Sequence, residues 1–543
     1  MREYTVKEIA QIVGGELIAG DGEITVKEFS TNSKEGDEVT MFVPVIGERV
    51  DGHDFIGDAF AHGMRATFTC RKDLAFEQGK NGISGMAYVY VDLLGEKNPN
   101  VAALQRFGAY MRKEFSLPVV GITGSTGKTS TKEMVASALE TKFCTLKTDG
   151  NMNSQVGVPR MMLRLTEKHQ MAVIEMGMSM PGEMERIARV ARPECAVITN
   201  ISVAHIENLG TIANILTEKL NIINEIPEGG ALFVNGDDKM LKKLVEIWRM
   251  LTGQEVEKKP EKKRSVLMED EEDEEEKILL SPAAEKKLSQ IRIFTFGTEK
   301  DCDYRAKRVQ TIENGTQFTL CGKEIEKELV IKLSVVGQHH VENALAAFAV
   351  AMHFGITPET VAEKLFDYQP PAMRGGKIEA GGVILIDDTY NANPDSVHAA
   401  LTSLAAIKAK RRIAVLGDML ELGEISRICH GFIGENLLQF ELDYIVGVGN
   451  DAECYVTGAL RAQRQQTRLV RKDNGSVVRL SGGWSKPVPT IDGKFFLDNA
   501  SALAFLKGFV QEGDAVLFKG SRAMKMEEIV AGLREVLEKK GKN

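Results

Sequence analysis

Four unbroken apolar runs, VVGITG (119–124), MAVIEM (171–176), CAVITN (195–200) and ALFVN (231–235), lie in the middle of the chain with helical periodicity between them. A strand with one wet face alternates apolar and polar side chains, whereas an unbroken run is covered on both faces. The runs therefore call for a mostly parallel sheet with helices on either side, an α/β arrangement. Open sheets of this kind hold ligands outside the carboxyl ends of their strands, so the polar residues just after each run are the first candidates for chemistry.

At 543 residues the chain exceeds what one core usually carries, and related patterns flank the central block. GEITVKEFS, MFVPVIG and MAYVYVD in residues 1–112 read as strands of a small α/β domain. DYQPPAMRGG (367–376) sets paired prolines beside paired glycines and marks a hinge. Beyond it VILIDD, RRIAVLGD, DYIVGVG and DAVLFKG alternate with helices, as in a Rossmann-like sheet. Three α/β domains are expected, over 1–112, 113–371 and 372–543. Residues 253–290 contain a basic block and then eight consecutive acids, Glu269 to Glu276, and are expected to form a solvated, disordered insertion. The basic stretch 460–495 resembles no pattern that can be placed.

A net charge of -9 argues against a nucleic-acid partner. Seven scattered cysteines with no C-x-x-C pair suggest neither a disulfide framework nor a zinc knuckle, and fit a reducing cytoplasm. The first residues, MREYTVKEIAQIVGG, carry charges throughout, and nowhere do 18 uncharged apolar residues follow one another. A cytoplasmic chain without a membrane-spanning segment is expected.

GITGSTGKTSTKEM (121–134) misses the usual phosphate-loop spacing, because the glycine wanted at 122 is Ile122. The physical parts are nevertheless present. A strand delivers the chain, Gly124 and Gly127 free the backbone, Ser125 and Thr126 lie between them in the candidate nucleotide loop, and Lys128 is the cation. Thr129 supplies a hydroxyl for a metal, and Ser130 continues into a helix whose N-terminus favours anions. Glu175 and His205 follow the second and third runs at the same sheet edge, where with Thr129 they could hold magnesium, an ion that needs few protein ligands.

The form T-G-x-x-G-K-T-S resembles the ATP loop of the Mur ligase family, the ATP-dependent amide-forming enzymes of bacterial cell-wall synthesis and folate polyglutamylation. GNMNSQVGVP (150–159), EMGMSMPGEMERIARVARPECAVITNISVAHIENLG (175–210), ILTEKLNII (215–223) and GQHHVENALAAFA (337–349) resemble that family's central blocks in order and content. The resemblance implies ATP and Mg2+, with Glu175 and His205 as metal ligands and Lys219 as the lysine that several members carbamylate into a further ligand. It also implies Asn343 beside the adenine, with His340 standing where asparagine is usual. Asn151 and Asn153, in a polar loop, would bond substrate or cap a turn.

MRGGKIEAGGVILIDDTYNANPDSVHAAL (373–401) places Arg374 where the family has an arginine that reaches the ATP phosphates from the third domain. Asp388, Asn391 and Asn393 would orient the incoming amine, or else Asn393 or Asp388 caps the next helix. DDTYNANPDS, VLGDMLELGE and KGSRAMKME resemble the branch of the family that adds D-alanyl-D-alanine. STNSKEGDEVTMFVPVIGERVDGHDFI (30–56) resembles that branch's nucleotide-sugar domain, with Ser33 toward the UDP end. Here Asn32 and Lys34 replace the common Asp and Arg.

The implied activity joins UDP-N-acetylmuramoyl-tripeptide to D-alanyl-D-alanine through an acyl phosphate, in a monomer. Lys128, His205, Lys219, Arg374 and Asp388 would be the catalytic residues. The rivals are a family member adding another amino acid, as in third-residue addition or folylpolyglutamate synthesis, and a UDP-sugar-binding regulator that has lost catalysis.

Overall fold

The computed structural model describes residues 3–47, 49–73, 85–254, 278–313, 315–466, 469–471, 477–479 and 490–540. Its largest sheet has nine strands, in the order Leu329–Leu333, Gly315–Cys321, Tyr304–Ile312, Arg292–Gly297, Ala231–Asn235, Cys195–Ile198, Val119–Thr123, Met171–Glu175 and Thr145–Lys147. All four unbroken runs lie side by side and parallel at its centre. They are buried on both faces, one by Leu216, Ile222 and Ile187, the other by the helices Lys128–Leu139 and Gln338–His353.

At one end the sheet turns antiparallel through Tyr304–Ile312, Gly315–Cys321 and Leu329–Leu333. These strands alternate buried and exposed positions over parts of their length, as in Leu329–Leu333, which is what a one-sided antiparallel ladder allows. A five-stranded sheet draws its strands from residues 16–90 and a six-stranded sheet from residues 376–519. The latter is parallel except for Gly376–Ala380, which runs back along Val383–Asp388. Three mostly parallel sheets thus make up the α/β fold that the sequence pattern called for.

Part of the stretch expected to be a disordered insertion is ordered. Ser281 accepts a hydrogen bond from the Ala284 amide, caps the helix Pro282–Ser289, and lets Leu288 bury completely against the central core. That single apolar residue at helical spacing was outweighed by the surrounding charge. Residues 255–277, with the acidic run, lie outside the described residues. In the unassigned basic stretch, the helix Glu453–Gln466 extends past 460 and Asp492–Phe496 joins the third sheet as a parallel edge strand. A short ladder pairs Leu469–Arg471 with Val477–Arg479, and residues 467–468, 472–476 and 480–489 lie outside the described residues.

The helix Pro99–Lys113 ties the first sheet to the second. Phe107 packs edge-on against Tyr4 and beside Phe29, while Gly108 lies so close to Pro159 that a Cβ there would come 2.7 Å from its Cα. The third sheet approaches largely through polar contacts, with Val203 of the central block resting on its core. No helix among the described residues is long and apolar enough to cross a membrane.

Candidate active site

The glycine loop sits where the sheet edge predicts, between Val119–Thr123 and the helix Lys128–Leu139. Gly124 has φ +147 and Gly127 φ +78, backbone values that side-chain-bearing residues rarely adopt. Both are also tightly approached. A Cβ on Gly124 would lie 1.9 Å from Thr199 Oγ1, and one on Gly127 would lie 2.9 Å from Asn343 Oδ1.

The loop is braced by the segment after the third apolar run. Thr199 donates its hydroxyl to the Thr126 carbonyl (2.5 Å), and Asn200 accepts from the Thr126 amide (2.8 Å) while donating to its hydroxyl (2.7 Å). Ser125 accepts from the Ser202 amide at 2.8 Å. The spacing of the motif gave no sign of this brace, which comes from the residues just past a strand, 73 to 77 positions further along the chain; the polar TN ending of CAVITN was the only available signal.

Lys128 is folded back onto its own loop, donating to the carbonyls of Gly124 (2.7 Å) and Ser125 (3.3 Å). Lys219, on the helix Ile212–Leu220, is 1% exposed and donates to the same Gly124 carbonyl at 3.1 Å. Burial pushes both amines below the ordinary lysine range, strongly for Lys219, where the neighbouring Lys128 charge adds to the effect.

Glu175 ends its strand directly opposite Ile122, so it stands beside the loop, and it is 2% exposed. One of its oxygens accepts from Asn153 Nδ2 at 2.7 Å; the other is buried without a hydrogen-bond partner. Asn153 therefore neither caps a turn nor faces away, whereas Asn151 is exposed at the loop tip. His205 adopts φ +66, and its Nδ1 lies 2.6 Å from Glu421 Oε2 of the third unit, an ion-pair distance whose angles are not those of a hydrogen bond. That contact holds the Glu421 carboxyl below the usual carboxylate range. Glu421 was missed in the sequence, because nothing in GDMLELGE separates it from an ordinary acidic turn.

Arg374 reaches across the same interface. Its Nη2 donates to Thr129 Oγ1 at 3.0 Å, and its guanidinium lies 3.6 Å from the centroid of the Tyr390 ring. Asn343 accepts from the Thr131 hydroxyl at 2.9 Å on the far side of the loop, while His340 is buried with Nδ1 unpartnered. Ser130 is half-buried on the first turn of the loop helix.

The TYNANP segment behaves differently. Asn393 caps the helix Pro394–Ala405, accepting from the Ser396 amide at 2.9 Å in a reciprocal capping box. Asn391 folds onto the Ala392 amide (2.9 Å), and Asp388 accepts from Lys519 at 2.6 Å. The capping alternative thus describes Asn393, and Asp388 is held by an ion pair. Ser33 is 8% exposed in the turn after the strand Glu28–Ser30 of the first sheet.

The structure gathers Gly124 to Ser130, Glu175, His205, Lys219, Asn343 and Arg374 around one loop. It places Ser33 in another unit and Asn391 and Asn393 on the third-unit turn behind Tyr390. Among the described residues no cluster of three or more His, Cys, Asp or Glu could hold a metal by itself.

Comparison with known proteins matches this arrangement. The model of the Mur ligase middle domain matches residues 122–278 and 256–351, and that of the Mur ligase glutamate ligase domain matches residues 373–522. A UDP-N-acetylmuramoyl-tripeptide--D-alanyl-D-alanine ligase of Bacillus subtilis (strain 168) is 32% identical over 538 residues, 98% of this chain and 99% of its own. The Escherichia coli (strain K12) protein of the same name is 30% identical over 98% of this chain and 99% of its own. A crystal structure of MurF from Acinetobacter baumannii superposes with a TM-score of 0.76 at 27% identity, covering 98% of this chain and 99% of that one. MurF ligase from Thermotoga maritima in complex with ADP gives 0.68 at 26% identity, covering 94% and 98%. With a glycine loop braced from a neighbouring strand, an arginine arriving from a third sheet, and relatives matched along nearly their whole length, the chain belongs to the Mur ligase family.

Proposed function

We propose that this chain is an ATP-dependent ligase joining UDP-N-acetylmuramoyl-tripeptide to D-alanyl-D-alanine in peptidoglycan precursor synthesis. The observation that carries the proposal is the 32% identity to a ligase of that name over 98% of the chain. The TYNANP and LGDMLELGE segments, which resemble the dipeptide-adding branch, favour it over a ligase for another amino acid. Residues 1–112 would bind the UDP-sugar with Ser33 at the UDP end, 113–371 the ATP, and 372–543 the dipeptide.

In the proposed reaction the tripeptide's terminal carboxylate attacks the γ-phosphorus, the bond to the β–γ bridging oxygen breaks, and ADP leaves behind an acyl phosphate. The dipeptide's free amine then attacks the acyl carbon; the carbon–oxygen bond breaks, inorganic phosphate departs, and the amine's surplus proton passes to solvent. Lys128 exchanges its carbonyl partners for phosphate oxygens, joined by the backbone amides of 127–130, and Arg374 offsets charge on the transferred group. Asn343 lies on the adenine side. Asn151 and Asn153 line the carboxylate side, and Asp388, Asn391 and Asn393 shape the turn that receives the amine. Closure of the units excludes water that would hydrolyse the anhydride.

Thr129, Glu175 and His205, with Lys219 if carbamylated, would hold magnesium, which when bound neutralises phosphate charge. The buried, unpartnered oxygen of Glu175 fits such a ligand, and few protein donors suffice for an ion that keeps several waters. The depressed Lys219 amine fits carbamylation, since the neutral form reacts with carbon dioxide. The same proposal has the chain working as a monomer in the cytoplasm, in cell-wall growth and division.

The test mixes ATP, magnesium, UDP-muramoyl-tripeptide and D-alanyl-D-alanine with the protein and omits each in turn. ADP release only in the complete mixture supports the proposal; binding of the UDP-sugar without ADP in any mixture would point to the inactive regulator.

A further inference from the structure

We infer that Tyr390 aims Arg374 at the nucleotide loop, and that buried Lys519 fixes Tyr390 by clamping both sides of the turn that carries it. The inference rests on the ligase reading for its meaning, but its geometry is independent of the substrates. Arg374 has a long, flexible side chain, and a guanidinium free to sample solvent would meet the phosphates rarely. Here it lies 3.6 Å from the Tyr390 ring centroid, close enough for attraction between the cation and the ring face. From that seat it donates to Thr129 at 3.0 Å.

The backbone around Arg374 is tied to the same turn. Met373 holds φ +61, an uncommon value for a residue with a side chain. Its carbonyl accepts from the Tyr390 amide (3.2 Å), and the Gly375 amide donates to the Asp387 carbonyl (2.8 Å). The turn from 387 to 391 thus supports the arginine from below through the ring and from both sides through the main chain.

Lys519 secures the turn. It is 3% exposed, at the end of the strand Asp514–Lys519 beside Val383–Asp388. Its ammonium donates to Asp388 Oδ2 at 2.6 Å and to the Asn391 carbonyl at 3.0 Å, the two positions that straddle Tyr390. A charge so deeply buried needs partners, and these two are both on this turn. The turn proposed to receive the amine is therefore the same turn that positions the phosphate-side arginine. Tyr390 and Lys519 are positioning residues that link the two half-reactions.

The test measures affinity for the non-hydrolysed fluorescent nucleotide mant-AMPPNP, which carries a γ-phosphate and needs neither acceptor substrate, together with KM for ATP and kcat in the full reaction. Tyr390→Leu is expected to weaken mant-AMPPNP and raise KM for ATP about 3- to 30-fold, the range of a partly desolvated cation–ring contact. Tyr390→Phe, which keeps the ring, restores the wild-type values. In an Arg374→Ala background neither Tyr390→Leu nor Lys519→Met weakens nucleotide affinity further, because both act on the nucleotide through Arg374. Should the Leu variant fail to fold by its thermal melt, Tyr390→Met replaces it. Equal losses in the Phe and Leu variants, unchanged nucleotide affinity in the Leu variant, or affinity losses that persist without Arg374 would overturn the inference. Mant-AMPPNP binding that behaves as expected in a protein inactive as a ligase would leave the inference standing and refute the proposed reaction instead.

Discussion

Replacing Gly124 by alanine adds one methyl group to the phosphate loop, and the structure says where it goes. The new Cβ would lie 1.9 Å from Thr199 Oγ1 and 3.1 Å from the Thr199 Cβ and amide. Thr199 is 4% exposed and its hydroxyl is committed to the Thr126 carbonyl, so it has no room to swing away. Two costs add. A side chain at φ +147 carries backbone strain of about 1–3 kcal/mol, and forcing a methyl into a packed site costs about 1–3 kcal/mol more. If the loop relieves both by moving off the phosphates, nucleotide affinity falls about 30-fold or more, since about 1.4 kcal/mol is tenfold. Thr199→Ala in the same chain removes the oxygen at 1.9 Å and leaves nothing nearer than 3.1 Å. The double variant should then regain about tenfold of the loss, the share owed to crowding, while the backbone strain stays. Mant-ADP titration of the wild type, both single variants and the double variant reads this directly. Affinity in Gly124→Ala equal to the wild type, or a double variant no better than the single, would refute the reasoning.

Lys519→Met strands Asp388, whose side chain is 19% exposed, and should cost about 2–4 kcal/mol, less than a fully buried broken pair; adding Asp388→Leu should recover part of it, as read by denaturant melts. The depressed Lys219 amine means that the unfolded chain binds more protons than the native one between the native pKa and about 10.4, so this residue's contribution makes stability rise with pH across that window. The melting-temperature advantage of Lys219→Met over the wild type should accordingly shrink from pH 7 toward pH 10; an advantage that does not change with pH would contradict it. Glu342 runs the other way. Burial, with the Asp237 charge nearby, lifts its carboxyl to about 7, so the stability it confers in the protonated form is lost as pH rises from about 4.5 through 7. Glu342→Gln should gain about 2–3 kcal/mol relative to wild type between pH 5 and pH 8, and a gap that stays constant would count against it.

What the sequence disclosed divides along a physical line. The central sheet was legible because burial on both faces removes alternation, and VVGIT, MAVIE, CAVI and ALFVN all fold as strands where the apolar runs stand. The loop was legible despite Ile122, because Gly124, Gly127, Lys128 and Thr129 each meet a separate local requirement. The antiparallel strands from 304 to 333 and the helix Pro282–Ser289 were not, since their patterns are half polar.

At the site, the groups that stayed hidden, Thr199, Asn200, Glu421, Tyr390 and Lys519, act across elements far apart in the chain. An acid after a strand, or a lysine at the end of one, carries no local mark of the partner it will meet. Asn393 shows the converse: its place before a proline-led helix was enough to suggest the cap, and the helix Pro394–Ala405 begins there.

The central claim is that a carboxylate is activated by taking a phosphoryl group before the amine arrives. UDP-muramoyl-tripeptide labelled with oxygen-18 in its terminal carboxylate tests it most directly, by mass analysis of the phosphate released when ATP and D-alanyl-D-alanine are supplied. One labelled oxygen carried into each inorganic phosphate is the expected result. Phosphate free of label, alongside amide product, would mean that the carboxylate never attacked phosphorus and that the account is wrong.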